Sequence, residues 1–298
     1  MSEFLPPHLP ATGEIVVVRV FVNSGLGGNP VPLVADAQGM SGQAMCDVAR
    51  RYGFESAFVL PPSTSGADWR FRFFVPEHEM EMCGHATVGT LWALRQWGLW
   101  SAKTAVIETM SGKVAACWDG QASSVWISQP EAHITELAYD DLHLIAEVLG
   151  ISAATPGLHV VNACTSRVKT LVRLPDAASL NALRPNFSRM RELCETIGST
   201  GLYPYALPAE QTGESFTVHA RQFPKASGYL EDAATGIAAA ALWGWLRQSG
   251  AITGAVGLCT VVQGEAMGSP SAILVRTRVA EDGVTKGCWL SGEASWVE

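Results

Sequence analysis

Two short stretches place chemistry-bearing residues at the mouth of an apolar helix. Cys83-Gly84-His85-Ala86-Thr87 leads into Leu91-Trp92-Ala93-Leu94, and Asp232-Ala233-Ala234-Thr235-Gly236-Ile237 leads into Leu242-Trp243-Gly244-Trp245. The first turn of a helix carries backbone N–H groups with no intrahelical partner and a partial positive charge, so each mouth is a candidate anion site. Gly84 and Gly236 let a ligand approach the backbone closely. Two such mouths facing one cleft would hold a carboxylate without a lysine or arginine; the plainer alternative is that Gly and Thr merely cap two core helices.

Three side chains could move protons. His85 lies inside the first mouth and titrates near pH ~6.5 when unperturbed, so it is either a proton carrier or a packed capping residue. Asp232 opens the second mouth, as an N-cap or as a partner for a substrate hydroxyl or amine. Its neighbour Glu231 lacks the capping position. Glu55 stands between Phe54 and Ala57-Phe58-Val59. A carboxylate in apolar company is costly to ionise, which would raise its pKa and suit it to take and return a proton; the alternative is a strand-end glutamate in water. Cys83, His78 and His85 do not have the spacing of a zinc site. No G-x-G-x-x-G or G-x-x-x-x-G-K-[ST] run exists, so neither a metal nor a nucleotide cofactor is expected.

Alternation and punctuation supply the elements around these residues. Strands are predicted at Ile15 to Val22, Val31 to Val34, Glu55 to Leu60, Trp69 to Val75, His159 to Cys164, Lys169 to Arg173 and Phe216 to Arg221, with a meander from Val106 to Ser128. Helices are predicted from a Ser41 cap through Tyr52, from Cys83 to about Trp97, and at Leu137 to Leu149, Asn186 to Ile197 and Thr235 to Leu246. Each mouth follows an arginine-aromatic strand that runs to a proline, Arg72-Phe73-Phe74-Val75-Pro76 and Arg221-Gln222-Phe223-Pro224. This reads as an internal duplication of roughly 150 residues. A helix as apolar as Ala238 to Leu246 must be surrounded on all sides. The expected fold is therefore α+β, with two pseudo-symmetric lobes, each a curved, barrel-like sheet around a central apolar helix. The lobes are placed at residues 1–125 and 126–298, with terminal strands able to cross back to the first.

The 298 residues are 48% hydrophobic and 16% charged, enough for a large core, and carry a net charge of −8. An acidic chain without a basic stripe argues against nucleic acid and anionic membranes as partners. The amino terminus lacks the features of a signal peptide, and no run reaches the ~18 apolar residues of a membrane span, so a cytoplasmic location is expected. Seven scattered cysteines form no C-x-x-C pair, which argues against a disulfide framework.

Several ordered patterns resemble the PhzF-like (phenazine-biosynthesis isomerase) family, which shares its fold with diaminopimelate epimerase. They are Val20-Phe21-Val22 with Gly27-Gly28-Asn29-Pro30, Glu55-Ser-Ala-Phe-Val, Arg72-Phe-Phe-Val-Pro with Cys83-Gly-His-Ala-Thr, Glu108-Thr-Met-Ser-Gly112, Arg221-Gln-Phe-Pro with Glu231-Asp-Ala-Ala-Thr-Gly236, and Gln263-Gly-Glu-Ala-Met-Gly-Ser-Pro-Ser271. The resemblance implies a cofactor-independent isomerase acting on a small carboxylate like trans-2,3-dihydro-3-hydroxyanthranilate, as a homodimer. By position it implies Glu55 as acid/base with His85 and Asp232 assisting. The substrate would be bound at Cys83, Gly84, Ala86, Thr235, Gly236 and Ile237. Ile237 stands where that family usually has serine, and Ser269 where it usually has arginine; both bear on the substrate. Two other functions stay open at this stage: a non-catalytic binding member of the fold, and a cysteine-dependent epimerase, which would need a second thiol that the Asp232 mouth does not supply in sequence.

Overall fold

β-Branched runs and glycine turns open the chain as a hairpin. In the computed structural model, which describes residues 8–208, 215–252, 257–280 and 283–297, strand β1 (Ile15–Asn23) pairs with β2 (Leu26–Val34). The residues on which the reading against a signal peptide rests, 1–7, lie outside the described set. Ser24 and Gly25 have φ of 51° and 83°, the left-handed pair that a two-residue hairpin turn requires. β2 starts five residues before its predicted beginning, so Gly27-Gly28-Asn29-Pro30 lies within the strand rather than in a loop. A Cβ on Gly28 would fall 2.6 Å from Cγ of Arg19, so only glycine lets β2 run this close to β1.

Helix α1 (Gly42–Tyr52) begins at Ser41, whose hydroxyl accepts from the N–H of Ala44, and stops at Gly53 with φ 74°. There follow β3 (Ser56–Leu60), β4 (Trp69–Phe74), β5 (Glu79–Met80), α2 (Gly84–Gln96), β6 (Thr104–Thr109), β7 (Gly112–Asp119) and β8 (Ser124–Gln129). The rest of the chain runs β9 (His133–Glu136), α3 (Tyr139–Leu149), β10 (His159–Cys164), β11 (Val168–Leu174), α4 (Ala177–Asn181), α5 (Met190–Thr196), β12 (Gly201–Ala206), β13 (Ser215–Ala220), β14 (Phe223–Pro224), α6 (Gly236–Gln248), β15 (Leu258–Gln263), β16 (Ser271–Val279), β17 (Thr285–Ser291) and β18 (Glu293–Trp296). The predicted helix from Asn186 is a 3₁₀ turn, Phe187–Arg189, before α5 starts. α4, capped by Asp176, is too short to leave a periodic signal.

The chain divides into two units. One comprises Met1–Ser24, Gly28–Ser128 and Ser291–Glu298; the other comprises Gly25–Gly27 and Gln129–Leu290. Each has the same strand logic. In the first unit β2 pairs parallel with β3, β3 antiparallel with β4, β4 parallel with β6 and β6 antiparallel with β7. In the second, β11 pairs parallel with β12, β12 antiparallel with β13, β13 parallel with β15 and β15 antiparallel with β16. α2 enters the first series just before β6, and α6 enters the second just before β15.

The two helices are the cores of their units. α2 is buried continuously from Gly84 to Leu91 and packs on β1, β3 and β18; α6 is buried from Gly236 to Trp243 and packs on β10, β11 and β16. Gly89 and Gly244 allow the close approach, because a Cβ there would stand 2.5 Å from Cγ2 of Val20 and 2.4 Å from Cβ of Ala132. Satellite clusters cover the outer sides. Met45, Ala49, Phe58 and Phe74 pack under α1. Ile145, Leu149, Leu180, Leu193 and Phe223 pack among α3, α4 and α5.

Candidate active site

The α2 entrance holds the titratable groups. Glu55 immediately precedes β3 and is 8% exposed, although its neighbour Phe54 turns outward. His85, in the first turn of α2, is 5% exposed. Its Nε2 lies 4.0 Å from Oε2 of Glu55, longer than a hydrogen bond but close enough for a strong electrostatic interaction in this buried setting. Burial pushes the His85 pKa below its ordinary value, and the Glu55 carboxylate pulls the other way. The His85 imidazole is therefore neutral near pH 7.

Cys83 is the residue before α2, and its side chain does not cap the helix. Its Sγ lies 3.4 Å from Nδ1 and 3.9 Å from Nε2 of His85. An in-line bond to Nδ1 would leave Nε2 more than ~5 Å away, so the sulfur rests against the ring rather than at the end of a nitrogen lone pair. Cys83 thereby packs His85 in place. Thr87 closes the turn, its hydroxyl and N–H both donating to the carbonyl of Cys83 at 2.7 and 3.0 Å.

The α6 entrance is a net of neutral donors and acceptors around one carboxylate. Asp232 is not the N-cap: that position belongs to Thr235, three residues on. Asp232 instead accepts from the Thr235 hydroxyl at 2.5 Å and from the N–H of Ala234 at 3.5 Å. Gln263, fully buried at the end of β15, binds the loop from the other side. Its Oε1 accepts from the N–H of Thr235 (3.2 Å) and the hydroxyl of Tyr203 (3.0 Å), while its Nε2 donates to the carbonyl of Asp232 (2.7 Å) and to Thr235 Oγ1 (3.1 Å). The turn after Gln263 is pressed on the same loop, since a Cβ on Gly264 would meet Ser269 O at 2.3 Å and Ala233 O at 3.0 Å. Ile237 is 7% exposed, and its carbonyl accepts from the Thr165 hydroxyl at 3.4 Å.

The predicted residues thus fall into two groups: Glu55, Cys83, Gly84, His85 and Ala86 in the first unit, and Asp232, Thr235, Gly236 and Ile237 in the second. Gln263, the partner of Thr235, and Tyr203, the partner of Gln263, were missed. Gln263 opens one of the ordered patterns in the sequence, which is the signal that could have found it; Tyr203 has none. Among the described residues no group of three or more His, Cys, Asp and Glu is placed to hold a metal ion. A cavity of about 210 Å³ in the second unit lies along the far half of α6, lined by Ala240, Trp243 and Arg247, and contains none of the predicted residues.

Comparison with known proteins places this arrangement. The model of the PhzC-PhzF family, described as phenazine biosynthesis-like protein, matches residues 18–298. The trans-2,3-dihydro-3-hydroxyanthranilate isomerase of Pseudomonas aeruginosa is 31% identical over 283 residues, covering 91% of this chain and 92% of that protein. An uncharacterized isomerase of Deinococcus radiodurans is also 31% identical, covering 85% of this chain and 82% of its own length. Among solved structures, a PhzF-family phenazine biosynthesis protein of Bacillus anthracis superposes with a TM-score of 0.82 at 25% identity, over 95% of this chain and 96% of that one. A probable proline racemase of Agrobacterium radiobacter shares the fold at a TM-score of 0.64 and 12% identity, over 95% and 90% of the two chains. With the same strand order in both units, a buried helix in each, and matches along almost the whole length, this chain is an isomerase belonging to the phenazine biosynthesis-like PhzC-PhzF family.

Proposed function

We propose that this isomerase moves one proton between carbons of a small carboxylate resembling trans-2,3-dihydro-3-hydroxyanthranilate, without a cofactor, with Glu55 as the single acid/base. The observation that carries the reading is the buried contact of Glu55 with a neutral His85 at the mouth of α2. As a carboxylate, Glu55 takes the proton from the substrate carbon; as the resulting acid it returns it to a second carbon. His85 presents a dipole rather than a charge to Glu55, so no ion pair with His85 opposes its action as a base. The first-turn N–H groups of each entrance, Gly84 and Ala86 at α2 and Gly236 and Ile237 at α6, are each proposed as donors able to bind a substrate carboxylate and to stabilise charge delocalised into it during transfer. Asp232, held by Thr235, is proposed to accept from a substrate hydroxyl or amine.

The substrate rests on the name of the Pseudomonas aeruginosa relative and on the resemblance above. Ile237 offers an apolar surface where a hydroxyl is usual, which favours a less polar group on that side of the substrate. The experiment is solvent deuterium incorporation into trans-2,3-dihydro-3-hydroxyanthranilate by wild type and Glu55→Gln. Wild type should label the transferred position and the variant should not; equal labelling would remove Glu55 from the mechanism. We also propose a homodimer in the cytoplasm, the latter supported by seven free cysteines. Sedimentation at micromolar concentration tests the dimer, and a monomer throughout would refute it.

A further inference from the structure

Each helix entrance is preceded by an arginine–glutamate pair, partly buried in the first unit and more deeply buried in the second, that the mechanism above does not use. In the first unit Nε and Nη2 of Arg72 donate to the two carboxylate oxygens of Glu79 at 2.7 and 2.5 Å. In the second unit Nε and Nη2 of Arg221 donate to those of Glu231 at 2.8 and 2.7 Å. Both guanidinium groups lie over the ring of the aromatic residue two positions on, 5.0 Å from the centre of Phe74 and 4.8 Å from that of Phe223. Both glutamates lie four residues before the N-cap of the buried helix, Cys83 in one case and Thr235 in the other.

We infer that Arg72–Glu79 and Arg221–Glu231 are matched positioning clamps, each fixing the entrance of its own unit's helix so that the first-turn N–H groups hold a rigid direction. The chain between clamp and cap is short and tied down in both. Met80 pairs with Phe73 and the carbonyl of Glu81 accepts from Ser111, so the path from Glu79 to Cys83 has little slack. The N–H of Asp232 donates to the carbonyl of Gln222 before Asp232 reaches Thr235. Stability alone does not account for these pairs, because a well-packed apolar pair is often as stable as a buried ion pair. What a planar fork adds is a fixed geometry, with two parallel bonds setting both distance and angle.

The clamps are not equal. Arg72 and Glu79 keep about a fifth of their side-chain surface exposed, against 6% and 12% for Arg221 and Glu231. Arg221 also donates from Nη1 to the carbonyls of Leu180 and Leu183, at 3.2 and 3.1 Å. That an entrance so fixed receives the substrate carboxylate rests on the function proposed above; the local rigidity does not.

The test compares Arg72→Lys and Arg221→Lys, since lysine keeps the charge and loses the fork. Two amide protons report the entrances in the free enzyme: Thr87, bonded to the carbonyl of Cys83, and Ala239, bonded to that of Thr235. Arg72→Lys should speed exchange at Thr87 by about tenfold with Ala239 unchanged, and Arg221→Lys should do the reverse with a larger effect. Glu79→Gln, which keeps one acceptor, should be intermediate. Loss of protection at both sites together would mean general destabilisation, and no change at either would mean no clamp; each overturns the inference. With trans-2,3-dihydro-3-hydroxyanthranilate, KM should rise about tenfold while kcat changes little. An unchanged KM despite local loss of protection would sever the clamp from substrate binding. A wild type that does not turn over this compound, but shows the paired exchange pattern, sinks the substrate reading and leaves the clamps standing.

Discussion

The two helix entrances share a frame and differ in what fills it. In both, an Arg-x-aromatic strand, a glutamate and a glycine lead into a buried helix. At α2 the space is filled by titratable groups, Glu55 and His85 within 4.0 Å and Cys83 against the imidazole. At α6 it is filled by Asp232, Thr235, Gln263 and Tyr203, joined by hydrogen bonds from 2.5 to 3.2 Å. The first holds an imidazole whose burial disfavours its charged form, set beside a carboxyl group. The second is a pre-satisfied network in which every removal strands a partner. The division of labour proposed above, proton chemistry at one helix and rigid recognition at the other, rests on this difference.

That division can be broken by substitution, beginning where the largest effect lies. Glu55→Gln should lower kcat by about 10³-fold in steady-state assays while thermal unfolding shifts only slightly, because the amide fits the same space. His85→Asn should lower kcat by about 10²-fold, again with little loss of stability. A large drop in melting temperature for either would make the α2 entrance structural and erase the contrast.

Gln263→Leu tests the other side. It removes the partner of the Tyr203 hydroxyl and the Thr235 N–H, and should cost about 3 kcal/mol by denaturant unfolding. Its rate defect, measured well below the unfolding transition, should be mainly in KM.

The pH dependence of stability sharpens the comparison further. Burial holds His85 below its unfolded pKa, so as pH falls below ~6.5 the unfolded chain binds a proton that the folded protein does not. His85 therefore contributes stability above that pH and a loss that steepens towards about 1.4 kcal/mol per pH unit below it. His85→Asn should remove this component of the acid slope when unfolding is followed from pH 7 to pH 5. Cys83→Ala should give the smallest effect, a change in kcat of about threefold or less, since the thiol supports the imidazole by packing. Complete inactivation would instead make Cys83 a reacting group.

The helices and strands that carry strong patterns were legible in the sequence: the Ser41 cap of α1, the apolar runs of α2 and α6, and the β-branched run of β1. The ordered motifs indicated the family, and Glu55, His85 and Cys83 could be named before their contacts were known. What local pattern could not supply is the choice among partners distant in sequence. Asp232 had the residue type of an N-cap, yet Thr235 takes that position because Gln263, 28 residues on, binds its N–H and hydroxyl. Glu231 looked idle beside Asp232, yet it is the carboxylate that Arg221 grips.

The sequence by itself determined which helices must be buried and which residues stand at their mouths, since burial follows from apolar periodicity within a single segment. Only the tertiary structure decided how each buried polar group is satisfied. A hydrogen bond depends on which atoms the strands bring within about 3 Å, and that is set by pairing between segments tens of residues apart.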